Sequence, residues 1–410
     1  MASLLNKDFR QELLRMDIVP RNLNDVSKKY KEMLIQDFKN RVIKTEVVKT
    51  CQCGSENLEE LTKIDRFGLL FGSLICKQCG LVITNPRISE ESLPYYYDKY
   101  YHPLNYGREY IRKENVAFAR GQGKKIFNIL KSFLPNKKEF MVLEIGAGTG
   151  NVLFEFREEA KKENITVKEL GTEYSEDCIL SCKEKNINVI QGNSETVLNL
   201  KKEESKYDII ILSHVFEHFI DLNYELILLK KLMHNETLLY IEVPGIMAIH
   251  KSKWYNFSFL GYSIHAHMYN FTKESLNNIL LSNGFNSVFL NDEVESVFKI
   301  GMNKNVKINN AYIKILNYLE FIDNNNSYFK QEIQRITNLS RWHNLEKEKR
   351  IKLERWHNLE KEKRIKHEHL HNIEKKTKDN IIEQYNYFKK SGITKKYKEL
   401  KKLFEIIKKA

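Results

Sequence analysis

The sequence lacks any apolar run that approaches the roughly 20 residues a helix needs to cross a bilayer. It also lacks an early segment in which basic residues precede an apolar stretch, because charged residues interrupt the first 30 positions throughout. Cysteine is scarce: the six cysteines fall in three close pairs, which in a reducing compartment favours metal binding or free thiols over disulfides. These absences predict a soluble, cytoplasmic protein.

The composition sets the size and charge of the molecule. A chain of 410 residues has room for one large domain with appendages, or for two or three domains. The 42% hydrophobic content supports at least one sizeable core, and the net charge of +13 raises the question of nucleic acid or membrane partners. Lysine is abundant everywhere, so a compositional bias accounts for much of this excess, and a nucleotide-bearing substrate would also suit a basic surface.

The first 92 residues contain two different patterns. Apolar positions at helical spacing predict two amphipathic helices within 1–48, divided near Pro20. Two pairs of cysteines then follow in the segment 49–92, and each pair ends in Cys-Gly. If the segment binds a metal, its ligands would be Cys51, Cys53, Cys76 and Cys79. Four thiolates in tetrahedral geometry form a closed, structural zinc site, so this segment resembles a zinc ribbon. The first pair is C-x-C and departs from the usual C-x-x-C, and a remnant that no longer binds metal is the alternative.

A glycine-rich turn lies at the centre of the chain. A buried strand is predicted at Met141–Ile145, followed by glycines at 146, 148 and 150 and by the start of a helix. The acid Glu144 precedes the first glycine by two residues, and the spacing is G-x-G-x-G instead of the G-x-G-x-x-G of dinucleotide-binding folds. From this strand to about Met302, predicted strands and helices alternate as in a doubly wound α/β sheet. The predicted strands are Met141–Ile145, Lys168–Glu173, Asn188–Gln191, Tyr207–Ser213, Thr237–Val243, Asn286–Asn291 and Ser296–Gly301.

Four features in this order resemble the class I S-adenosylmethionine (SAM) methyltransferases: the loop itself, the acid Glu173 after the second strand, the polar stretch Gln191–Ser194, and the segment Tyr207–His218. The resemblance implies a Rossmann-like domain with a reversed final strand, and Glu173 accepting hydrogen bonds from the ribose hydroxyls of SAM. The residues it implies for the cofactor are Glu144, Gly146, Ala147, Gly148, Gly150, Glu173, Tyr174, Asn193, Ser213 and His214.

A narrower resemblance covers about residues 51–302. The cysteine-bearing N-terminus, the sequence CGLVITNPR, the tyrosine-rich Leu93–Tyr101 and the stretch His265–Thr272 are similar to a group that includes methyltransferases for antibiotic sugars and bacterial surface polysaccharides. It implies O-methylation of a sugar hydroxyl, on a nucleotide conjugate destined for a capsule or another surface polysaccharide. A hydroxyl is a poor nucleophile, and histidine is the natural base at neutral pH. The candidates for the base are His267 first, then His218, with His265 and His214 also at this edge of the sheet.

Other activities remain as alternatives. C-methylation of a nucleotide-linked keto-sugar could use the same histidines, whereas a nucleic-acid-binding methyltransferase would use the ribbon and the basic helices. A helical scaffold with a degenerate enzyme domain is the third. Methylation of base amino groups is disfavoured because Ser213-His-Val-Phe replaces the usual Asn/Asp-Pro-Pro-aromatic turn. Cytosine C5 methylation is disfavoured because no thiol nucleophile follows Cys182.

The C-terminal part of the chain contains repeats. The 14 residues 341–354 recur almost unchanged at 355–368, and a weaker copy begins at His369. This repeat of two heptads predicts a weak coiled coil, a solvated helical stalk or an antiparallel helical hairpin. We predict that His343, His357 and His371 are surface residues of this repeat and that these helices mediate homo-oligomerisation or docking. The predicted domains are therefore 1–48, 49–92, a connector helix in 93–138, the SAM-binding domain in 139–303 and a helical extension in 304–410.

Overall fold

A computed structural model describes residues 7–108, 121–200, 206–301, 307–332, 335 and 383. The chain divides into two compact units, Met1–Ile333 and Gln334–Ala410, and the fold that follows is that of the first unit. The predicted repeats, with their three histidines, lie outside the described residues. Within the described ranges, no helix combines the length and apolar character that crossing a membrane requires.

The N-terminal part contains the two predicted helices, α1 (Lys7–Leu13) and α2 (Asp25–Lys39). The helix α2 begins where the Asn24 side chain accepts a hydrogen bond from the amide of Ser27, at 2.9 Å. Short strands follow: β1 (Thr45–Glu46), β2 (Leu58–Thr62), β3 (Gly72–Cys76), β4 (Val82–Asn85) and β5 (Arg87–Ile88). Strands β2, β3 and β4 form an antiparallel sheet, which explains the strand-like character of the sequence between the cysteine pairs.

The tyrosine-rich stretch forms one continuous helical segment, made of α3 (Leu93–Tyr96), a π-helical turn (Tyr97–Tyr101) and α4 (His102–Tyr106). Tyr96 and Tyr100 are fully buried. Tyr95 and Tyr100 donate hydrogen bonds to Asp37 of α2 and so fix this segment to the N-terminal helix. Most of the cluster therefore has a packing role.

The largest sheet has seven strands in the order β12-β13-β10-β9-β6-β7-β8. Its elements are α5 (Gln122–Leu130), β6 (Glu139–Glu144), α6 (Asn151–Lys162), β7 (Thr166–Glu173), α7 (Glu176–Glu184), β8 (Val189–Gln191), α8 (Ser194–Leu200), β9 (Tyr207–Ser213), α9 (Leu222–Lys231), β10 (Met233–Glu242), α10 (Phe259–Tyr262), β11 (Tyr269–Asn270), α11 (Lys273–Ser282), β12 (Phe285–Leu290) and β13 (Glu295–Ile300). Strands β6 to β10 run parallel, and β13 is antiparallel to both of its neighbours. The predicted α/β sheet and its reversed final strand are confirmed.

The central strands are buried on both faces, as expected for a parallel sheet covered by helices. The four residues Ile209–Leu212 of β9 are all buried, so the continuous apolar run in the sequence is explained. The predicted connector helix in 93–138 corresponds in part to α5, which passes into a short 3-10 turn at Lys131–Phe133. Residues 109–120 lie outside the described part. Strand β10 starts at Met233, four residues before the predicted position, because its pairing with β9 is irregular between Met233 and Leu238.

Two connections join the small sheet to the rest of the unit. Strand β11 leaves the main domain and pairs with β4, which brings the segment after β10 against the cysteine-bearing sheet. The helix α12 (Tyr312–Asn324) packs in one apolar cluster with Phe9 and Leu13 of α1, and the amide of Ala311 bonds to the carbonyl of Cys79 at 3.2 Å. The start of the predicted C-terminal extension therefore packs within the first unit.

Candidate functional site

The glycine turn after β6 is closely packed at Gly146 and Gly150 and open at Gly148. A side chain at Gly146 would meet Val215 at 2.6 Å, and one at Gly150 would meet the sulfur of Cys182 at 2.9 Å. A side chain at Gly148, by contrast, would project into space that no atom occupies within 4 Å. This open face lies at the carboxyl ends of the parallel strands, where ligands bind in folds of this kind.

Glu173 at the end of β7 is tied to this turn. Its carboxylate accepts hydrogen bonds from the backbone amides of Gly148 at 2.8 Å, Tyr174 at 2.8 Å and Ser175 at 3.0 Å. A carboxylate offers about four lone-pair positions, so this one can still accept from ligand hydroxyls. The two sequence features that lie 25 residues apart are brought into direct contact.

Glu144 is buried beneath the turn. Burial raises the pKa of its carboxyl well above the ordinary range, and the charge of Glu173 adds to the shift, while a hydrogen bond from the backbone of Leu153 opposes it. The oxygen Oε2 is buried without a hydrogen-bond partner. Burial therefore favours the protonated form of this carboxyl, which can act as a donor.

The other residues predicted for the cofactor occupy the same edge. The side chain of Asn193 accepts a hydrogen bond from the amide of Thr196 at 3.1 Å and so caps α8. Tyr174 is 65% exposed beside Glu173. Ser213, at the end of β9, accepts a hydrogen bond from the side chain of Gln122 at 3.3 Å. These three residues surround the turn, and Asn193 also has the structural role of a helix cap.

A cluster of one carboxylate and three imidazoles lies directly after β9. Both oxygens of Glu217 are buried without a hydrogen-bond partner. Its Oε1 lies 3.8 Å from Nδ1 of His214 and 3.9 Å from the Nε2 atoms of both His218 and His267. Val215, in the same segment, contacts Gly146 of the turn, so the cluster adjoins the cofactor edge of the sheet. We name Glu217, His218 and His267 the acceptor cluster.

The position of His267 is fixed by its backbone. The carbonyl of His267 accepts a hydrogen bond from Thr84 of β4 at 2.6 Å, and the amide of the next residue, Met268, bonds to the carbonyl of Glu217 at 2.8 Å. The Nε2 atom faces the carboxylate, while Nδ1 is buried and has no partner. Burial, and next the neighbouring His218, lower the pKa of His267 well below its ordinary value. A neutral imidazole with an unpartnered nitrogen can accept a proton from a bound molecule.

His218 connects the tyrosine-rich segment to the acceptor cluster. Its Nδ1 lies 2.9 Å from the carbonyl of Ala266 and 2.8 Å from the hydroxyl of Tyr97. Because a carbonyl only accepts, Nδ1 carries the proton, and Nε2 faces Glu217. Burial lowers the pKa of His218, so this imidazole is neutral as well. His218 therefore holds the backbone immediately before His267.

His214 differs from the other histidines of the site because it lies between two acids. Burial lowers its pKa, but Glu217 and Glu242 outweigh burial and raise the pKa to about 10. The Nε2 atom lies 3.6 Å from Glu242, the distance of an ion pair. His214 is therefore a cation at neutral pH and supplies the positive charge beside Glu217. A protonated imidazole cannot serve as a base, which argues against the predicted catalytic role for His214.

His265 lies outside the acceptor cluster. It is fully buried, its Nδ1 pairs with Asp65 at 2.6 Å, and its ring packs against Phe67, Phe71 and Tyr96. An imidazole enclosed in this way has no access to a bound acceptor. The structure thus separates His265, as a packing residue, from the other predicted catalytic histidines.

The comparisons with known proteins identify the central domain. Residues 118–289 match a family described as a methyltransferase domain. The protein is therefore an enzyme with a methyltransferase domain. No curated protein matches the sequence.

Solved structures similar to this chain include a SAM-dependent methyltransferase from Archaeoglobus fulgidus. It is 25% identical, the match covers 43% of this chain and 76% of that chain, and the TM-score is 0.33. The carbon methyltransferase CurJ has 15% identity over 44% of this chain and 53% of that chain, with a TM-score of 0.35. The plantazolicin methyltransferase BamL, solved with SAH, has 17% identity over 52% of this chain and 80% of that chain, with a TM-score of 0.35. Similarities this low carry no information on the acceptor.

The four predicted zinc ligands of the methyltransferase also come together. The Sγ atoms of Cys51 and Cys79 are 3.5 Å apart, and those of Cys53 and Cys76 are 3.7 Å apart. All four sulfurs lie within 4.8 Å of one another. A tetrahedral zinc site with Zn–S bonds of about 2.3 Å has sulfurs roughly 3.8 Å apart, so the cluster is compatible with zinc. Cys178 is buried and outside this cluster.

Several residues of the methyltransferase site have no signal in the sequence. Asp65 pairs with a histidine 200 positions later, and Tyr97 bonds to His218 across 121 positions. Glu242 ends β10 and accepts hydrogen bonds from Lys125 and from Tyr240, at 2.6 and 2.9 Å. Glu217 is different, because its place between His214 and His218 in the segment Tyr207–His218 singles it out in the sequence as a residue near the cofactor.

Proposed function

We propose that this methyltransferase O-methylates a sugar hydroxyl, carried on a nucleotide and destined for a capsular or other surface polysaccharide. The observation that carries the proposal is the acceptor cluster, where a neutral histidine adjoins a buried carboxylate beside the glycine turn. A base held by an acid is the arrangement that activates hydroxyl nucleophiles. The resemblance of the sequence to sugar methyltransferases supports the choice of acceptor.

The residues around the turn fit SAM. The open face at Gly148 leaves room for a ligand, and Glu173 beside it has free acceptor capacity for ribose hydroxyls. When bound, SAM supplies an electrophilic methyl group. His267 takes the proton of the acceptor hydroxyl, and Glu217, whose Oε1 lies 3.9 Å from its Nε2, stabilises the imidazolium that forms. His218 and His214 keep these two groups in place and balance the charge of the carboxylate.

The activity should depend on pH through His267. The base works when it is neutral, and its pKa lies well below the ordinary 6.5, so kcat/KM should stay constant from pH 8 down to pH 6.5 and fall only at lower pH. A pH profile of kcat/KM, recorded with stability controls at each pH, checks this. A midpoint at or above pH 6.5 would show that another group is the base.

The acceptor can be identified by mass spectrometry of methyl incorporation across a panel of nucleotide sugars in the presence of SAM. A methylated product should appear, and its NMR spectrum should contain a methoxy signal. A C-methyl signal would instead support methylation of a keto-sugar carbon, for which the same base could remove a proton. Methylation of nucleic acid alone would contradict the proposal.

We also propose that Cys51, Cys53, Cys76 and Cys79 bind one structural zinc ion, based on the spacing of their sulfurs. Purified protein should contain about one zinc per chain, and Cys76→Ser should remove it and lower the melting temperature by roughly 5 °C or more. The matched control is Cys178→Ser, which should keep the zinc. Metal-free protein whose melting temperature does not respond to a chelator would exclude this site.

The remaining predictions concern partners. The helical scaffold with a degenerate domain is disfavoured, because the chain matches a methyltransferase domain and retains its glycine turn. We retain homo-oligomerisation through the C-terminal helices as a prediction, and a cytoplasmic location likewise. Binding of nucleic acid stays an unfavoured alternative, which strongly salt-dependent binding would revive.

A further inference from the structure

Two arginines meet beside the tyrosine-rich segment. Arg66 lies in a tight turn that the Asp65 side chain closes. The Oδ1 atom of Asp65 accepts hydrogen bonds from the amides of Phe67 at 2.9 Å and Leu69 at 3.0 Å. The amide of Arg21 bonds to the carbonyl of Arg66 at 3.0 Å. Both guanidinium groups approach the ring of Phe67, at 5.8 Å for Arg21 and 5.1 Å for Arg66. We name Arg21 and Arg66 the arginine pair.

The arginine pair has no carboxylate partner among the described residues. The Nε atom of Arg66 is buried without a hydrogen-bond acceptor, and its Nη2 bonds only to the neutral amide of Asn105, at 2.5 Å. The neighbouring carboxylate of Asp65 is already used by His265 and by backbone amides. Burial, followed by the charge of Arg66, lowers the pKa of Arg21 to about 10. The charge of Asp65 acts on Arg66, but one carboxylate cannot balance two partly desolvated cations, so a ligand anion would offset the remaining cost.

The arginine pair lies on the acceptor side of the site. Asn105, which accepts the hydrogen bond from Arg66, donates one to the carbonyl of Tyr101 at 2.8 Å. The ring of Tyr101 lies 5.9 Å from the ring of His218 in the acceptor cluster, in an edge-to-face contact. These contacts join the arginine pair to the acceptor cluster, so an anion held by the pair would belong to the acceptor molecule. Glu173 and the glycine turn form the separate cofactor part of the site.

We propose that the arginine pair binds the diphosphate of a nucleotide-activated sugar and so positions the sugar at the acceptor cluster; this inference rests on the proposed function. Two planar guanidinium groups offer paired donors that match phosphate oxygens, and two positive charges balance a diphosphate better than a single carboxylate. Nearby exposed aromatic surface, such as Tyr106, suits the base or sugar of the nucleotide.

The test is calorimetric titration of the full-length protein with UDP, dTDP, GDP and CDP, with their nucleosides, and with inorganic pyrophosphate. One nucleoside diphosphate should bind at least about 10-fold more tightly than its nucleoside, because the diphosphate adds charge-assisted contacts to the arginine pair. It should also bind at least about 10-fold more tightly than pyrophosphate, because the base and ribose add stacking and polar contacts. Arg66→Gln should weaken this binding by at least about 10-fold and Arg21→Gln by several-fold, whereas Arg66→Lys should restore part of it. The control Arg41→Gln, beyond the far end of α2, should bind normally.

Three outcomes would overturn the inference, and a fourth separates it from the proposed function. Equal affinity of wild type, Arg66→Gln and Arg21→Gln, with unchanged melting temperature and SAM affinity, would place the diphosphate elsewhere. Pyrophosphate or nucleoside binding as tight as the diphosphate would exclude recognition of a nucleotide-linked diphosphate. Methylation of an unphosphorylated sugar, with the same KM in Arg66→Gln, would overturn the inference and leave sugar methylation intact. Diphosphate binding that depends on Arg66, without methyl transfer to any sugar, would support the inference and contradict the proposed function.

Discussion

Replacing His267 by Asn should lower kcat by about 10²- to 10⁴-fold, the range that a positioned general base supplies. The imidazole has one nitrogen facing Glu217 and the other unpartnered, so it is the group of the acceptor cluster best placed to receive a proton. Asparagine keeps a polar side chain of similar reach but cannot take the proton. The affinity for SAM should stay within about two-fold, because His267 lies on the acceptor side.

The matched control is His234→Asn. His234 lies near the start of β10, at the opposite end of the strand from Glu242. The Nε2 atom of His234 pairs with Asp208 at 3.1 Å. Its replacement should leave kcat unchanged. The variant His218→Asn should lower kcat less than His267→Asn does, because His218 only positions the backbone before His267 through the carbonyl of Ala266. Wild-type turnover in His267→Asn would show that His267 is not the base. A larger loss of kcat in His218→Asn than in His267→Asn would assign the role of base to His218.

The division between predicted and unpredicted parts of the site has a physical origin. The glycine turn, Glu173 and the strands around them depend on local patterns, since the sheet brings successive strand ends to one edge. The sequence was therefore sufficient to place Glu173 at the end of its strand and to expect the reversed β13, and the structure adds the contact of Glu173 with Gly148. Buried apolar runs such as Ile209–Leu212 made the central strands easy to recognise.

The acceptor side is different because it is assembled from segments far apart in the chain. His265 and His267 are two residues apart in the sequence, yet one pairs with Asp65 in a buried aromatic cluster and the other faces Glu217. The pairing of β11 with β4 produces this separation, because it fixes the backbone around His267 to Thr84. No periodicity in the sequence reports which of two nearby histidines will have a carboxylate 200 residues away. The arginine pair was missed for the same reason.

Glu173 tests the cofactor side, and Glu173→Ala should weaken SAM binding by about 10²- to 10⁴-fold, since each hydrogen bond to a charged group contributes about 1.5–3 kcal/mol and two ribose hydroxyls are involved. The same substitution frees the amide of Gly148, which the carboxylate holds at 2.8 Å, so the turn also loses part of its support. Glu173→Gln should have a smaller effect, because it keeps one oxygen acceptor and loses the charge.

The measurement is calorimetric titration with SAM and with SAH, together with the melting temperature of each variant. Glu176→Gln is the matched control, because Glu176 is exposed in the first turn of α7. This substitution removes the same charge three residues away from Glu173. It should bind SAM normally. If Glu173→Ala and Glu176→Gln bound SAM equally well, the carboxylate of Glu173 would serve only to hold the turn. Loss of binding in Glu173→Ala with an unchanged melting temperature would instead locate the ribose at the end of β7, beside the open face of Gly148.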